Sequence, residues 1–186
     1  MDFNSSLPQI PLYQLDCKIK FYESNIKSSL KLDKNKKNNF LDFLEEVSNL
    51  SPFLKKIRKN EIEWLKKNSH KSLKQILNDL TSKKFISFQK DIIKECKLIK
   101  RRSFLITSLF DISGYISLAQ VSQILTKISD HILYLLSDCV IYGNENDDKS
   151  VHTKKIKNQS FDYFILAMGK MGSCELNYSS DIDIIF

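Results

Sequence analysis

Two carboxylates lie close together near the end of the sequence, in the stretch GKMGSCELNYSSDIDIIF. Asp181 and Asp183 are separated by one residue, so both side chains would project from the same face of a β-strand. Neighbouring carboxylates repel each other, and a hard divalent cation removes that cost. Mg²⁺ takes one or two carboxylates and leaves its other positions to water and phosphate oxygens. The spacing therefore indicates a metal site, with a solvated strand end as the alternative interpretation.

A glycine-serine pair, Gly172-Ser173, precedes the two aspartates. The glycine lets the backbone approach a ligand, the serine adds a hydroxyl, and a turn of this kind can present N–H groups to a phosphate. Asn177, Ser179 and Ser180 are equally well explained as ordinary turn formers. Taken in order, the turn and the two carboxylates predict a phosphate-and-metal site at one end of a sheet.

Two candidate strands would position these residues. The run FDYFILAMG, residues 161–169, is short, apolar and bounded by a glycine, which suits a buried strand, with a buried helix as the alternative. The second strand is predicted in DIDIIF and would begin at Asp181. Its Ile182 and Ile184 would face away from the carboxylates, where they can be buried.

From about residue 13 to residue 143, the apolar residues recur at helical spacing. A first helix is predicted in NNFLDFLEEVSNL, and Ser51 and Pro52 suit the N-cap and the first helical position of the next. A further short helix fits SLKQILNDLTS. One face of the first helix is predicted to carry Phe40, Leu41, Leu44 and Val47.

Two longer helices follow, each with a nearly continuous apolar seam. Gly114 separates them, and Ser117 with Gln120 forms a capping-box signature for the second. Two such seams in succession favour antiparallel packing in a helical bundle. For Arg101 and Arg102, beside the first seam, contact with a phosphate across a cleft and a solvated helix face both remain open. The seams are Ile92, Cys96, Ile99, Ser103, Ile106 and Phe110, then Val121, Leu125, Ile128, Ile132, Leu135 and Cys139, with Gly143 after the second.

The composition divides the chain into three parts. Residues 1–143 are predicted to form a helical N-terminal region, and residues 144–160 are polar, charged and without period, as in an exposed loop. Residues 161–186 are predicted to begin an α/β (α+β) catalytic domain. The expected fold class is therefore mainly α: an N-terminal helical bundle that leads into the first strands of that domain.

Charge and cysteine usage restrict the class of partner. The formal net charge is +7, which is compatible with a polyanion partner, but the lysines are dispersed rather than gathered on one face between aromatic residues. The sequence therefore argues against nucleic acid as a partner.

The four cysteines form no CxxC pair and the three histidines have no second ligand at suitable spacing, so zinc is not expected. Without a signal peptide or a long apolar segment, a reduced, cytoplasmic protein away from membranes is expected.

The stretch AMGKMGSCELNYSSDIDIIF resembles the signature of the bifunctional glutamine synthetase adenylyltransferase/deadenylylase (adenylyl-removing) family. That signature reads roughly G-K-x-G-G-x-E-L-N-x-x-S-D-I-D-L-I-F. Weaker similarity extends upstream, in SNLSPFLKKIRKN and in IKRRSFLITSLFDISGYISLAQVSQILTKISD. Ser173 replaces the usual second glycine, and Cys174 stands where many members carry arginine or glycine, so no contact is assigned to Cys174.

The resemblance implies a nucleotidyltransferase-superfamily site in residues 161–186. Asp181 and Asp183 would be the catalytic metal ligands, holding Mg²⁺, and Gly172, Ser173 and Ser180 would bind phosphate or nucleotide. Members carry two copies of this domain, and the resemblance implies that the N-terminal copy removes AMP from a tyrosine of glutamine synthetase. Orthophosphate would attack the AMP phosphorus, the bond to the tyrosine oxygen would break, and ADP would form, while the second copy attaches AMP from ATP. Glutamine synthetase, the PII signalling protein and nucleotide are the implied partners.

The superfamily places a third carboxylate on a strand further along the chain. We therefore expect the sequence to be the N-terminal fragment of a longer enzyme, truncated at its C-terminus and inactive alone. Because residues 13–143 read as helices, the alternative is a helical interaction module that docks glutamine synthetase or the PII protein without catalysis.

Overall fold

A computed structural model of the protein describes residues 3, 6–15, 40–82, 89–142 and 163–186. Most of these residues are helical, with a two-stranded sheet near the C-terminal end, so the mainly α prediction is confirmed. The predicted loop 144–160 and Gly143 lie outside the described residues. The elements are a 3₁₀ turn Leu12–Gln14, α1 Phe40–Leu50, α2 Pro52–Asn68, α3 Leu73–Thr81, α4 Gln89–Ile112, α5 Leu118–Tyr142, β1 Leu166–Met168, a one-turn helix α6 Gly169–Gly172 and β2 Asp183–Ile185.

Helix α1 buries most of the predicted face. Phe40, Leu44 and Val47 are buried, whereas Leu41 is 42% exposed and Phe43 is buried instead. The prediction for Leu41 is wrong because the positions 40, 43, 44 and 47 share one helical stripe, and residue 41 lies about a quarter-turn outside it.

Helices α2 and α3 begin at capping residues. The Ser51 hydroxyl accepts the Leu54 N–H at 3.4 Å, and Pro52 occupies the first turn of α2, as predicted. At α3, Ser72 and Gln75 form a reciprocal capping box, in which the Ser72 N–H donates to Gln75 Oε1 at 2.9 Å. The N-terminal segment crosses this point, because the Leu12 N–H donates to the Lys71 carbonyl at 3.0 Å.

Helices α4 and α5 pack along each other and form the main part of the core. All six residues predicted for the α4 seam are buried. In α5, the seam residues Ile132 and Cys139 are half-buried and the other four are buried. Gly114, with φ +71°, lies in the turn between the helices, and the predicted Ser117–Gln120 capping box is present. Because the turn is short, the two helices run antiparallel.

Strands β1 and β2 are antiparallel, with Leu166 opposite Ile185, Ala167 opposite Ile184 and Met168 opposite Asp183. Strand β2 begins at Asp183, two residues later than predicted. The physical reason is that β1 ends at Met168, the partner of Asp183, and the chain then turns into α6. No β1 residue remains to pair with Asp181 or Ile182.

The described helices include none that is long and apolar enough to cross a membrane. The predicted domain boundaries at residues 143 and 161 remain predictions.

Candidate functional site

The turn after β1 brings a glycine beneath the carboxylate of Asp183. Gly169 follows Met168 directly and has φ +52°, a left-handed conformation that favours glycine. A Cβ atom at Gly169 would lie 3.5 Å from Asp183 Oδ2. Because Met168 pairs with Asp183, the strand register itself places this carboxylate over the start of α6.

Gly172 approaches β1 so closely that no other residue fits. A Cβ atom at Gly172 would lie 2.5 Å from the backbone oxygen of Ala167, well inside van der Waals contact. This gives Gly172 a structural reason in addition to its predicted role at phosphate. The motif glycine that the sequence singled out is thus also the one that lets α6 fold back on β1.

Ser173 closes α6 through its own backbone and side chain. Its N–H donates to the Gly169 carbonyl at 3.1 Å. Its hydroxyl lies 3.1 Å from both the Gly169 carbonyl and Glu175 Oε2 and donates to one of them at a time. The backbone then turns through Cys174, which has φ +59°, and the Glu175 N–H donates to the Lys170 carbonyl at 2.7 Å. Phosphate binding by Ser173 remains a prediction and would require this hydroxyl to rotate.

Residues 177–180 form a tight turn between α6 and β2. The Ser180 hydroxyl accepts the Asn177 N–H at 3.0 Å, and the Ser180 N–H donates to the Asn177 carbonyl at 3.2 Å. The Asn177 side-chain oxygen also accepts the Ser179 N–H at 3.0 Å. The turn-forming interpretation of these residues therefore holds, and nucleotide binding by Ser180 remains a prediction.

Both aspartates present exposed carboxylates. Asp183 is the first residue of β2, and Asp181 precedes the strand by two residues. Within the described ranges, no group of three or more histidine, cysteine, aspartate or glutamate side chains could hold a metal ion. Two oxygen donors suit Mg²⁺, which takes one or two carboxylates and completes its octahedron with water and phosphate. The donor chemistry therefore fits the predicted metal.

The site is attached to α4 by a contact that the sequence did not reveal. Met171 and Leu176 are buried against the helical core. The Tyr178 hydroxyl donates to Asp111 Oδ2 at 3.1 Å. The Tyr178 ring meets Phe104 edge to face, with centroids 6.0 Å apart. The only signal in the sequence was the position of Tyr178 inside the motif, because its partners lie far away along the chain.

Burial governs the protonation of this pair. Burial raises the pKa of the Asp111 carboxyl, and the hydrogen bond from Tyr178 opposes that rise. Burial, followed by the charge of Asp111, raises the pKa of Tyr178, so the phenol keeps its proton as the donor.

Arg101 and Arg102 both pair with a buried glutamate on α2, a contact that the sequence did not reveal. Glu61 on α2 is 2% exposed, and its two oxygens accept from Arg101 Nε at 2.6 Å and from Arg102 Nε at 2.7 Å. The Arg102 guanidinium also lies over the Trp64 ring, 4.7 Å from its centroid. Both arginines therefore join α4 to α2.

The sequence model of the glutamate-ammonia ligase adenylyltransferase family, which is the family of glutamine synthetase adenylyltransferases, matches residues 41–186. The chain belongs to this family. The family resemblance of the C-terminal motif is thereby confirmed, and the match extends through helices α1 to α5.

Curated relatives described as bifunctional glutamine synthetase adenylyltransferase/adenylyl-removing enzymes are similar to the chain. The relative from Agrobacterium fabrum is 23% identical over 154 residues, which covers 77% of the chain and 16% of the relative. The relative from a Bradyrhizobium species is 35% identical over 104 residues, which covers 51% of the chain and 10% of the relative. That from Bartonella quintana is 26% identical over 156 residues, covering 78% and 16%. The chain spans about a sixth of the length of the first and third of these relatives. No solved structure matches it.

Proposed function

We propose that residues 163–186 contribute the first part of a nucleotidyltransferase site, in an enzyme that regulates glutamine synthetase by AMP transfer. The observation that carries this proposal is the position of the Asp183 carboxylate over Gly169, at the start of the turn that contains Gly172. Family membership supports it, because the relatives are named for adenylyl transfer and adenylyl removal.

Asp181 and Asp183 would hold Mg²⁺, and Gly172, Ser173 and Ser180 would receive phosphate or nucleotide. When bound, the metal neutralises charge on the transferring phosphoryl group. Orthophosphate is already anionic near neutral pH, so its attack on AMP needs positioning and electrostatic stabilisation more than a general base. The carboxylates suit that requirement because they offer oxygen ligands for a metal at one end of the sheet, beside the turn that contains Gly172 and Ser173.

The finer assignment is phosphorolytic removal of AMP from a tyrosine of glutamine synthetase, with ADP as product. It rests on the resemblance, which associates this copy of the domain with removal, and on the adenylyl-removing activity in the names of the relatives. The PII signalling protein is the proposed regulatory partner and the cytoplasm the proposed location. The 186 residues alone are proposed to be inactive, because the described part supplies two carboxylates rather than three.

The experiment is ADP release from adenylylated glutamine synthetase by the full-length enzyme, with orthophosphate and Mg²⁺ present. Asp181→Asn and Asp183→Asn should each lower kcat about a hundredfold or more, in the range expected when a group that stabilises transition-state charge is lost. Asp91→Asn, an exposed surface change on α4, is the matched control and should keep full activity.

Full activity in Asp183→Asn would contradict the metal assignment. ADP release by the 186-residue chain alone would contradict its proposed inactivity. If both aspartate variants remained active and the chain still bound glutamine synthetase, the helical docking alternative would replace catalysis by this site.

A further inference from the structure

We propose that Tyr178 and Asp111 are positioning residues, through which helix α4 fixes the Asp181 and Asp183 carboxylates for metal binding. The proposal rests on the proposed function of that site. It adds a contact from outside the motif, supplied by the helical region. Asp111 and Tyr178 are separated along the chain by all of α5, the segment beyond it, β1 and α6.

The first step is that a movement of the Tyr178 ring would be transmitted to the aspartates through the backbone turn that contains it. Tyr178 lies inside the turn 177–180, which is closed by hydrogen bonds in both directions between Asn177 and Ser180. Asp181 follows that turn directly. A displacement of the Tyr178 ring would therefore move the turn as a unit and carry Asp181 with it.

The second step is that the sheet is small and that, of its six residues, Ala167 alone packs against the helical core. Its strands have three residues each, and Ile182 and Ile184, predicted to be buried, are 40% and 39% exposed. An isolated two-stranded sheet is marginally stable in water. The turn that leads into β2 is therefore positioned by the contacts of Met171, Leu176 and Tyr178 with the helical core, in addition to that of Ala167.

The third step is that Asp111 lies where a carboxylate is unfavourable. It is in the last turn of α4, where the helix dipole disfavours negative charge, and burial raises its pKa. The hydrogen bond that Asp111 accepts from the Tyr178 hydroxyl, at 3.1 Å, explains a carboxylate at this unfavourable position. The edge-to-face contact with Phe104 fixes the ring from a second direction on the same helix.

The test begins with the 186-residue chain, using Mn²⁺ as the probe and paramagnetic broadening of the Gly169 amide resonance as the readout. Tyr178→Phe, which removes the hydroxyl and keeps the ring, should weaken the apparent Mn²⁺ affinity about 3- to 10-fold, in proportion to one lost hydrogen bond. Asp111→Ala should do the same, and the double variant should be no worse than either single one. Asp111→Asn, which keeps an acceptor oxygen, should restore most of the affinity.

Amide hydrogen exchange supplies a second readout. In Tyr178→Phe, residues 177–185 should exchange about 3- to 10-fold faster, while α1, α2 and α3 keep wild-type rates. Tyr13→Phe, an exposed tyrosine in the N-terminal segment, is the matched control and should change neither readout. In the full-length enzyme, Tyr178→Phe should raise the Mg²⁺ concentration for half-maximal ADP release by a similar factor and leave the KM for adenylylated glutamine synthetase unchanged.

Wild-type Mn²⁺ affinity in Tyr178→Phe would overturn the inference, as would faster exchange throughout the helices, which would indicate a general structural role. The proposed function fails separately, if Asp183→Asn leaves the Gly169 broadening unchanged.

Discussion

Gly172 is required by the backbone before any phosphate binds. The space that its missing side chain leaves is occupied by the Ala167 carbonyl, so the same glycine that would let a ligand approach also lets α6 fold against β1. The Asp183 carboxylate, by contrast, has no structural explanation among the described contacts: it is exposed, charged and directed towards Gly169. At the scale of single residues, the aspartates are therefore more specific indicators of chemistry than the glycine.

Gly172→Ala should destabilise the protein without any ligand present. The added Cβ would lie 2.5 Å from a backbone oxygen that cannot rotate away, and overpacking of this kind costs about 1–3 kcal/mol. The measurement is urea unfolding of the 186-residue chain without nucleotide or metal. Ser179→Ala, in the exposed turn nearby, should cost less than about 0.5 kcal/mol. If Gly172→Ala were as stable as wild type, ligand binding would be the only remaining explanation for glycine at position 172.

Cys174→Gly should have the opposite effect. Cys174 has φ +59°, a conformation that costs an ordinary residue about 1–2 kcal/mol, and glycine avoids that cost but loses about 0.5–1 kcal/mol through its freer unfolded chain. A net gain of about 0.5 kcal/mol is expected in the same urea experiment. Cys174→Val, which is branched at Cβ, should lose stability, and a gain with valine would contradict the backbone explanation.

At the scale of elements, the sequence predicted what local rules determine. Ser51 with Pro52, the Ser117–Gln120 box and the α4 seam were all predicted correctly, because caps and helical periodicity depend on neighbours a few residues away. The start of β2 was predicted two residues early, because strand length depends on the partner strand.

Ser72→Ala tests the strongest local signal that the prediction left out, the capping box of α3. The Ser72 side chain accepts the Gln75 N–H, and an N-cap serine contributes about 1 kcal/mol. Thermal unfolding should show that the free energy of unfolding of the variant is lower than that of wild type by about 1 kcal/mol. Ser82→Ala, beyond the other end of α3, is the control and should stay within about 0.5 kcal/mol of wild type. Equal losses in both variants would exclude a specific capping effect.

At the scale of the whole molecule, the missing information was long-range pairing. The two arginines whose role the sequence left open meet a buried glutamate on α2, and the motif tyrosine meets an aspartate on α4. Neither partner was identifiable from spacing, because the paired residues lie 40, 41 and 67 positions apart. The aspartates proposed for the site were identified from a short motif, whereas the attachment of that motif to the helices could not be predicted.

Glu61, Arg101 and Arg102 form one ion-pair cluster, and substitution of the arginines should lower the free energy of unfolding more than substitution of the glutamate. In the double variant Arg101→Ala with Arg102→Ala, the 2% exposed Glu61 keeps a buried charge without its partners, which costs about 3–5 kcal/mol. In Glu61→Gln, the side chains of Arg101 and Arg102, 39% and 20% exposed, can still reach water, so the loss should be smaller. Chemical unfolding of both variants measures the difference. Equal losses would mean that packing of the arginine stems, not the buried charge, determines the cost.

The half-buried Asp111 predicts how the stability of the contact between α4 and Tyr178 depends on pH. Burial raises its pKa in the folded state, so the folded protein holds this proton more tightly than the unfolded chain, whose carboxyl titrates near its ordinary value of about 3.9. The associated stability is fully present below that value and is lost as the pH rises through the higher, folded pKa. Wild type should therefore gain stability relative to Asp111→Asn as the pH is lowered from 7 towards 4, measured by urea unfolding at several pH values.

Tyr178→Phe supplies the control for this pH dependence, because the Tyr178 hydrogen bond lowers the pKa of Asp111 against the effect of burial. Without the hydroxyl, the pKa of Asp111 should rise further, and the loss of stability between pH 4 and 7 should become larger than in wild type. In the double variant with Asp111→Asn, that extra dependence should disappear. If Tyr178→Phe instead gave the wild-type pH profile, the phenol would not reach Asp111 in solution, and α4 would hold the proposed metal site through apolar contacts alone.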